Sequence, residues 1–346
     1  MKQWSTRIAA LADLRAVSGR EAAAAKSICH QLQTQLPEAE TQCKDGSVIL
    51  RLAAAEHKPH LMLCAHLDQV GFFVTDLTED GFLRIGQVGG IDRRLLLGQP
   101  VVIYGAEPLF GVISILPPHL LKGEQAVPSE EQLCVDIGYG SAAELKDLVR
   151  RGDTVCFAAA CKPLQNNRLT GSALDDRCGV AAVLAAAEQI AAVPESERPY
   201  RVSVVLSAQE ERGSRGAKLA ALSLCPDIAI AVDVTFAMSP GETPHGCMTL
   251  GNGPAIGISS VLDESLSQAL INTAKQHAIP YQLEIMPDGT GTDADWLALA
   301  PGGAAAATVS IPLQYMHTPV EVLDCSDVAQ TAALLSAFAL GKETKE

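Results

Sequence analysis

The stretch RVSVVLSAQEER, which runs from Arg201 to Arg212, carries a pair of carboxylates directly after an apolar segment. Val202 to Leu206 is apolar and rich in valine, which is typical of a buried strand. Glu210 and Glu211 follow where that strand would end, and adjacent carboxylates in a partly desolvated place raise each other's pKa. We therefore expect a cation beside them. The alternative is a solvated turn, because exposed acidic residues are the norm.

Composition and net charge limit the classes of protein to consider. The chain has 346 residues, enough for one large domain with a smaller one or for two ordinary domains. Its formal net charge of -14 argues against nucleic acid or an anionic membrane as a partner, because both bind basic surfaces. No uninterrupted apolar segment reaches membrane-spanning length, and the N-terminus does not have the pattern of a signal peptide. We therefore expect a soluble, cytoplasmic protein.

The ten cysteines are scattered along the chain and have no CxxC spacing. A chain of this size does not need disulfides for its stability, and an exported protein would carry a signal peptide. We therefore expect small buried hydrophobic residues rather than disulfides. Five of the ten cysteines lie inside apolar runs: Cys64, Cys134, Cys156, Cys178 and Cys225.

The N-terminal part predicts two helices followed by strands. Ser5 to Val17 and Arg20 to Leu36 have apolar residues at helical spacing, and the apolar run HLMLCAHLD follows after strand-like Val48 to Leu52. That run ends with His66 and Asp68, which point to the same face of an extended chain. A carboxylate so placed can orient an imidazole that binds a metal. A core or surface histidine without a ligand role is the alternative.

A second type of pattern extends from Val70 to about Lys162. Short runs rich in Val, Ile and Phe alternate with turns, and Glu79-Asp80-Gly81 predicts a hairpin. Ser141 and Glu144 have capping-box spacing, so one helix is expected here. The sequence therefore predicts a small β-barrel-like domain, residues 70–162, inserted between two parts of a catalytic domain, residues 1–69 and 163–346.

After this insertion, strands alternate with helices again. Asp175 and Asp176 precede an alanine-rich helix, Val180 to Val193, and can be read as simple helix caps. A second helix is predicted from Gly213 to Leu224, and Ser326 is expected to cap the final helix.

Further polar residues lie at or near the ends of strand-like runs. Asp233 lies near the end of the buried run IAIAVDVT, and His317 follows the run from Ala305 to Ile311. This order predicts an α/β fold with a mainly parallel central sheet and helices on both faces.

The carboxyl ends of parallel strands are where such sheets bind ligands. Two histidines and several carboxylates, with no thiolate at these positions, suit zinc, manganese or cobalt. Two imidazoles shared among four or five carboxylates suggest two divalent metal ions with a bridging aspartate. Zinc is the expected metal, with cobalt or manganese as alternatives.

Five ordered motifs resemble the M42 family of metallo-aminopeptidases, the glutamyl/leucyl aminopeptidase group that forms tetrahedral dodecamers. The motifs are AHLDQVG, LDDRCG, QEERGSRG, AVDVT and MHTPVE, and the resemblance extends over essentially the whole chain. It implies that Asp175 bridges two metal ions, with His66 and Asp233 on one ion. Glu211 and His317 would hold the other ion.

The resemblance also implies two catalytic residues and an assembly. Asp68 would orient the His66 ring, and Glu210 would be the general base that takes a proton from a water between the metals. Relatives of this group form homo-oligomers, dodecamers in which the β domain makes the dimer contacts.

Three functions remain open from the sequence. The first is an aminopeptidase that removes N-terminal residues from short peptides. The second is a deacylase or amidohydrolase that uses the same site on N-acyl substrates. The third is a non-catalytic assembly protein that retains the fold, against which the complete set of ligand residues argues.

Overall fold

The computed structural model describes residues 2–114, 127, 129–241 and 246–341. The strands within this part are, in chain order, β1 Glu40–Lys44, β2 Ser47–Arg51, β3 His60–His66, β4 Gly71–Leu77, β5 Leu83–Val88, β6 Pro100–Tyr104, β7 Pro108–Ser114, β8 Cys134–Asp136, β9 Thr154–Phe157, β10 Lys162–Pro163, β11 Arg168–Gly171, β12 Arg201–Ser207, β13 Ile228–Phe236, β14 Ala255–Ser259, β15 Gln282–Met286, β16 Ala305–Gln314 and β17 Glu321–Asp324. The α-helices are α1 Lys2–Ala12, α2 Ala22–Gln35, α3 Ala142–Leu145, α4 Leu174–Ala191, α5 Arg215–Leu224, α6 Glu264–Gln276, α7 Ala294–Leu297 and α8 Cys325–Leu340.

The large sheet has the strand order β1-β2-β12-β3-β13-β16-β17-β11-β10, with β14 and β15 attached to β16. Its four central strands, β12, β3, β13 and β16, are parallel to one another. Antiparallel strands extend the sheet on both sides of this centre. The predicted α/β class is confirmed, and the parallel part provides the carboxyl edge at which ligands bind.

Helices cover both faces of the large sheet. On one face the main core joins residues of α1, α2, α4, α6 and α8 to the strands. On the other face a smaller core joins α5 and α7 to β3, β12 and β13. Every residue of β3 is buried, which explains why the central strands are nearly continuous apolar runs.

The β-rich segment forms a closed barrel with the order β4-β5-β8-β7-β6-β9. The barrel has its own apolar core, in which the rings of Phe72 and Phe157 meet edge to face at 5.6 Å. The expected hairpin joins β4 to β5, and Gly81 in its turn has φ +86, a conformation that suits glycine. A barrel has no open sheet edge, so this unit can project from the main sheet without exposing unpaired strands.

Four local expectations about helices differ from the structure. Helix α4 begins at Leu174 rather than Val180. Helix α1 ends at Ala12 rather than Val17, because Ala16 and Ser18 make main-chain hydrogen bonds with Gln69 instead. The final helix is capped by Asp324, whose side chain accepts from the main-chain N–H of Ser326 at 2.9 Å. The hydroxyl of Ser141 donates to the Glu144 carboxylate, so α3 forms without the reciprocal capping box.

The cysteine expectation is corrected in two respects. Cys29 and Cys43 form a disulfide between α2 and β1, which brings together two cysteines that are 14 residues apart. Their spacing gave no indication of this, because the tertiary packing of α2 on β1 places them side by side. Cys225 is exposed and Cys134 is half-buried, whereas Cys64, Cys156 and Cys178 are buried as expected. Among the described residues, no helix combines the length and apolar character required to span a membrane.

Candidate metal centre

The register of the parallel strands places the candidate ligands side by side at the carboxyl edge of the sheet. Ser207 at the end of β12 pairs with His66 at the end of β3, and Ala65 pairs with Val232 of β13. Asp233 therefore lies beside His66. Glu210 and Glu211 follow β12 by a few residues, so the like-charged pair reaches the same edge of the sheet.

Two overlapping groups of side chains could each hold a metal ion. The first group is His66, Asp175 and Asp233, and the second is Asp175, Glu211 and His317. Within each group, the ligand atoms lie within 4.8 Å of one another. Asp175 belongs to both groups. Its Oδ1 lies 2.9 Å from Nε2 of His66, and its Oδ2 lies 3.2 Å from Nε2 of His317. The structure thus brings together all five residues that were expected to be ligands from the resemblance to the M42 family.

The remaining contacts complete the two groups. Nε2 of His66 lies 3.7 Å from Oδ1 of Asp233, and Nε2 of His317 lies 3.3 Å from Oε1 of Glu211. The His66 side chain is 2% exposed and that of His317 is 30% exposed. The second group therefore lies nearer to solvent.

Both histidine rings are held through Nδ1. His66 Nδ1 donates to the main-chain carbonyl of Asp68 at 3.1 Å, and His317 Nδ1 donates to the carbonyl of Gly90 at 2.7 Å. These bonds fix the tautomer that leaves Nε2 free to bind a metal. Gly90 follows β5, so the barrel segment contributes directly to the orientation of His317.

The Asp68 carboxylate contacts the main chain of the glutamate pair. Its Oδ1 accepts from the N–H of Glu210 at 2.9 Å, and its Oδ2 accepts from the N–H of Glu211 at 3.2 Å. Oδ1 also lies 3.6 Å from Nδ1 of His66. Asp68 is fully buried, so it connects the end of β3 to the loop after β12 in a place shielded from water.

Buried carboxylates also hold the main chain at the other candidate ligands. Asp176 accepts from the N–H of His66 at 3.2 Å. Glu321 accepts from the N–H of Asp175 at 3.3 Å and from that of His317 at 2.9 Å. The backbone at His66 and Asp175 is therefore fixed by side chains from distant parts of the chain, and that at His317 by a residue four positions away.

The loop before Glu210 is held in the same way. The N–H of Gln209 donates to Glu21 at 3.2 Å, and that of Ala208 donates to the hydroxyl of Ser47 at 3.0 Å. Gln209 has φ +59, so its conformation depends on such partners. With the two bonds to Asp68, four consecutive N–H groups of this loop have side-chain acceptors.

Gly216 lets helix α5 pack directly against this loop. Its N–H donates to the carbonyl of Ala208 at 2.8 Å, and an added Cβ would lie 2.6 Å from both that carbonyl oxygen and the Ser47 hydroxyl. We expect Gly216→Ala to lower the free energy of unfolding by about 1–3 kcal/mol, because the main chain would have to move. Urea unfolding would measure the change.

Arg215→Ala is a suitable control for that substitution. Arg215 lies on the same helix, and its side chain donates an exposed hydrogen bond to the Gln209 side chain at 3.3 Å. Its removal is expected to change stability by less than about 0.5 kcal/mol. Equal unfolding free energies for Gly216→Ala and the unsubstituted protein would show that the close approach has no energetic consequence.

The electrostatics of the cluster favour a bound cation. Burial raises the pKa of Asp233 and of Asp176 well above the usual range of a carboxyl. Burial also raises the pKa of Glu210 to about 8, and Glu211 adds to this effect. Several buried carboxyls in one place cannot all ionise unless positive charge compensates them.

The surroundings of His317 also favour a positive charge. Burial lowers the pKa of its ring, but the hydrogen bonds with Asp175 and Glu211 outweigh this effect and raise the pKa to about 11. Divalent ions would supply the compensating charge without protonation of the ring. Two imidazoles and three carboxylates form a donor set that suits zinc, cobalt or manganese, so the residues fit the expected metals.

Sequence reasoning missed two of the supporting carboxylates. Glu321 is the last residue of the motif MHTPVE, four residues after His317, but nothing in its spacing predicts a contact with Asp175. Glu21 follows the Ser-Gly that separates the first two helices, where an acidic residue reads as a helix cap. Both contacts depend on chain segments that meet only in the folded protein.

Fold and site together define an α/β protein with a candidate metal centre at the carboxyl edge of its central sheet. The family model of the M42 glutamyl aminopeptidases matches residues 46–334. The lysyl aminopeptidase of Pyrococcus furiosus is 34% identical over 300 residues, which cover 85% of each protein. The chain belongs to the M42 glutamyl aminopeptidase family, and it is therefore a peptide-bond hydrolase of a metal-dependent family.

Solved structures agree with this assignment. An aminopeptidase from the archaeon Desulfurococcus kamchatkensis superposes with a TM-score of 0.91 at 34% identity, covering 99% of this chain and 96% of that chain. The TET1 peptidase of Pyrococcus horikoshii gives a TM-score of 0.83 at 28% identity, covering 97% of this chain and 99% of that chain. That peptidase can assemble into a tetrahedron or a large octahedral shell.

Proposed function

We propose that this chain is a dinuclear metal-dependent aminopeptidase that removes N-terminal residues from short peptides. The observation that carries the proposal is the position of Asp175, whose two carboxylate oxygens each face a different histidine. A carboxylate shared between two ligand groups is the arrangement that a two-metal site requires. The membership of the chain in a family of aminopeptidases supports the same conclusion.

Each proposed ion has three protein ligands. His66, Asp175 and Asp233 would hold one ion, and Glu211 and His317 would hold the other together with Asp175. We propose zinc, with cobalt or manganese as alternatives, because all three accept mixed imidazole and carboxylate ligands. When bound, the ions supply the Lewis acidity that polarises a peptide carbonyl and activates water.

Glu210 is the proposed general base. Its main chain is fixed by Asp68, and its half-buried side chain follows the strand end at which the ligands gather. The Glu210 carboxylate accepts a proton from the attacking water and then donates it to the nitrogen of the leaving amine. Asp68 keeps both His66 and the loop of Glu210 in position through three hydrogen bonds.

The distinction between an aminopeptidase and a deacylase concerns the substrate's α-amine. The acidic cluster at the site attracts a free ammonium group, which supports cleavage at the N-terminal residue. An N-acyl substrate has no such charge and would be the substrate of the alternative deacylase. A non-catalytic assembly protein, the third possibility, would have no need for Glu210 beside a complete ligand set.

We expect aminoacyl anilides with a free α-amine to be hydrolysed in the presence of zinc, cobalt or manganese. Their N-acetylated analogues are expected to react at least about 100-fold more slowly, because the site would lose an ion pair in a desolvated place. Release of the anilide chromophore measures both rates. Turnover of the blocked substrates alone would identify a deacylase, and no turnover of either kind would identify an assembly protein.

We also propose a homo-oligomer of the tetrahedral, dodecameric type. The barrel, within the proposed inserted domain of residues 70–162, would make dimer contacts, and the parts 1–69 and 163–346 would form the catalytic domain. Exposed apolar side chains on the barrel support this: Leu95, Leu97, Phe110 and Val112. A closed shell would admit short peptides and exclude folded proteins.

We place the enzyme in the cytoplasm, without nucleic acid or membrane partners, in keeping with its net charge of -14.

A further inference from the structure

Glu321 is a buried carboxylate that lies between two candidate ligands of the second metal ion. It is the first residue of β17, and it is 2% exposed. Its Oε1 accepts from the main-chain N–H of His317 at 2.9 Å. Its Oε2 accepts from the N–H of Leu174 at 2.7 Å and from that of Asp175 at 3.3 Å.

We propose that Glu321 is a positioning residue that sets the distance between Asp175 and His317 and thereby the affinity of the second metal ion. This inference rests on the proposed function, because it takes those two residues as metal ligands. One rigid carboxylate group joins two chain segments that are otherwise far apart in sequence, since the contact with Leu174 links residues 147 positions apart.

The segments that carry these ligands need an external support. Leu174 and Asp175 are the first residues of α4, whose opening N–H groups have no acceptor within the helix. Asp175 and Asp176 also have non-helical backbone angles, so the helix itself does not define where Asp175 points. His317 lies outside the strands with φ +61. Glu321 gives these three N–H groups their acceptor.

The chemistry of the contact requires a carboxylate. All three partners of Glu321 are N–H donors, and both of its oxygens accept. Glutamine has the same shape but offers only one acceptor oxygen, and its NH₂ group would face a donor on the other side. Glu321→Gln therefore releases either His317 or the start of α4, while the packing volume stays the same.

Asp327 provides a matched control within the same region of the chain. It is also fully buried, on α8, and its oxygens accept from the N–H groups of Gly251 and Gly253, each at 2.8 Å. Its hydrogen bonds thus have the same chemistry, but they hold a loop that carries none of the candidate ligands. Asp327→Asn loses one acceptor in the same way as Glu321→Gln.

The test measures metal binding by the full-length protein without any substrate. The protein is stripped with a chelator and titrated with Zn²⁺ against a competing chromophoric chelator, and Co²⁺ absorption reports the coordination of each ion. We expect Glu321→Gln to bind one Zn²⁺ about 10- to 100-fold more weakly than the unsubstituted protein, as is typical when a group that supports a ligand is removed. The other ion, with two further ligands in His66 and Asp233, is expected to change less.

Thermal unfolding of the metal-free proteins separates positioning from general destabilisation. Both variants are expected to lose stability, but Asp327→Asn is expected to keep its Zn²⁺ affinities within about 3-fold. If Glu321→Gln does not fold, Glu321→Asp takes its place, because its shorter side chain keeps two acceptors but cannot reach both segments. A smaller loss of affinity in the same ion is then expected.

Two results would overturn the inference. One is an unchanged affinity of both ions in Glu321→Gln, or in Glu321→Asp where it is used instead. The other is an equal loss of affinity in Asp327→Asn. A failure of the proposed function is a different observation, since it is made on the unsubstituted protein: fewer than two Zn²⁺ bound, or no metal-dependent cleavage. If the unsubstituted protein binds two Zn²⁺ ions, the comparison of the variants tests the role of Glu321.

Discussion

Glu210→Gln is expected to lower kcat by about two to four orders of magnitude, the usual contribution of a general base. Glutamine preserves the shape of the side chain and the main-chain bond to Asp68, but it cannot accept a proton. KM and the amount of bound metal are expected to change little, because Glu210 is outside both ligand groups. Steady-state kinetics with an aminoacyl anilide, together with metal analysis, tests this.

Glu211→Gln is the informative comparison for that variant. Glu211 belongs to the second ligand group and lies 3.3 Å from Nε2 of His317. Its replacement is expected to release one metal ion, whereas Glu210→Gln retains both. If Glu210→Gln kept a nearly full rate, the assignment of the base would be wrong. If both variants lost metal equally, the division of roles between the two neighbouring glutamates would be wrong.

Asp175→Asn is expected to reduce activity more than any other single ligand substitution, by about three orders of magnitude or more. Asn offers one neutral acceptor oxygen where Asp175 presents two charged ones, one towards His66 and one towards His317. The affinity of both ions therefore falls. Metal content after gel filtration and the rate at saturating metal are the two measurements.

Asp176→Asn is the control, and it also tests which of the adjacent aspartates bridges. The Asp176 carboxylate accepts from the N–H groups of His66 at 3.2 Å and Gly179 at 3.0 Å, and it belongs to neither ligand group. Its replacement is expected to weaken metal binding about 10- to 100-fold through the position of His66. A larger loss in Asp176→Asn than in Asp175→Asn would reverse the assignment.

The central strands could be predicted well because their signal is local. β3, β12 and β13 are runs of apolar residues buried on both faces, and that requirement is visible in any short window. Helix ends were less predictable. The end of α1 depends on the pairing of Ala16 and Ser18 with Gln69, which lies more than 50 residues away. The disulfide between Cys29 and Cys43 was missed for a similar reason.

The two adjacent aspartates show where local reasoning reaches its limit. Both precede the helix that the sequence predicts from Val180, and either could be read as a cap or a ligand. The folded chain separates them: Asp175 faces two imidazoles, and Asp176 faces main-chain N–H groups. The direction of each side chain depends on the backbone at the start of α4, which has non-helical angles at both residues.

By itself, the sequence predicted the α/β class, a small β-barrel-like insertion and a set of polar residues at strand ends, because these are local properties of the chain. The choice of five candidate ligands from that set came from the resemblance to the M42 family. Only the tertiary structure decided how these ligands are held. Glu321 meets Leu174 across 147 residues and Glu21 meets Gln209 across 188, and no pattern in a short window records such pairs. The physical reason is that an N–H group in an irregular segment can donate a hydrogen bond to any carboxylate that the fold brings within reach.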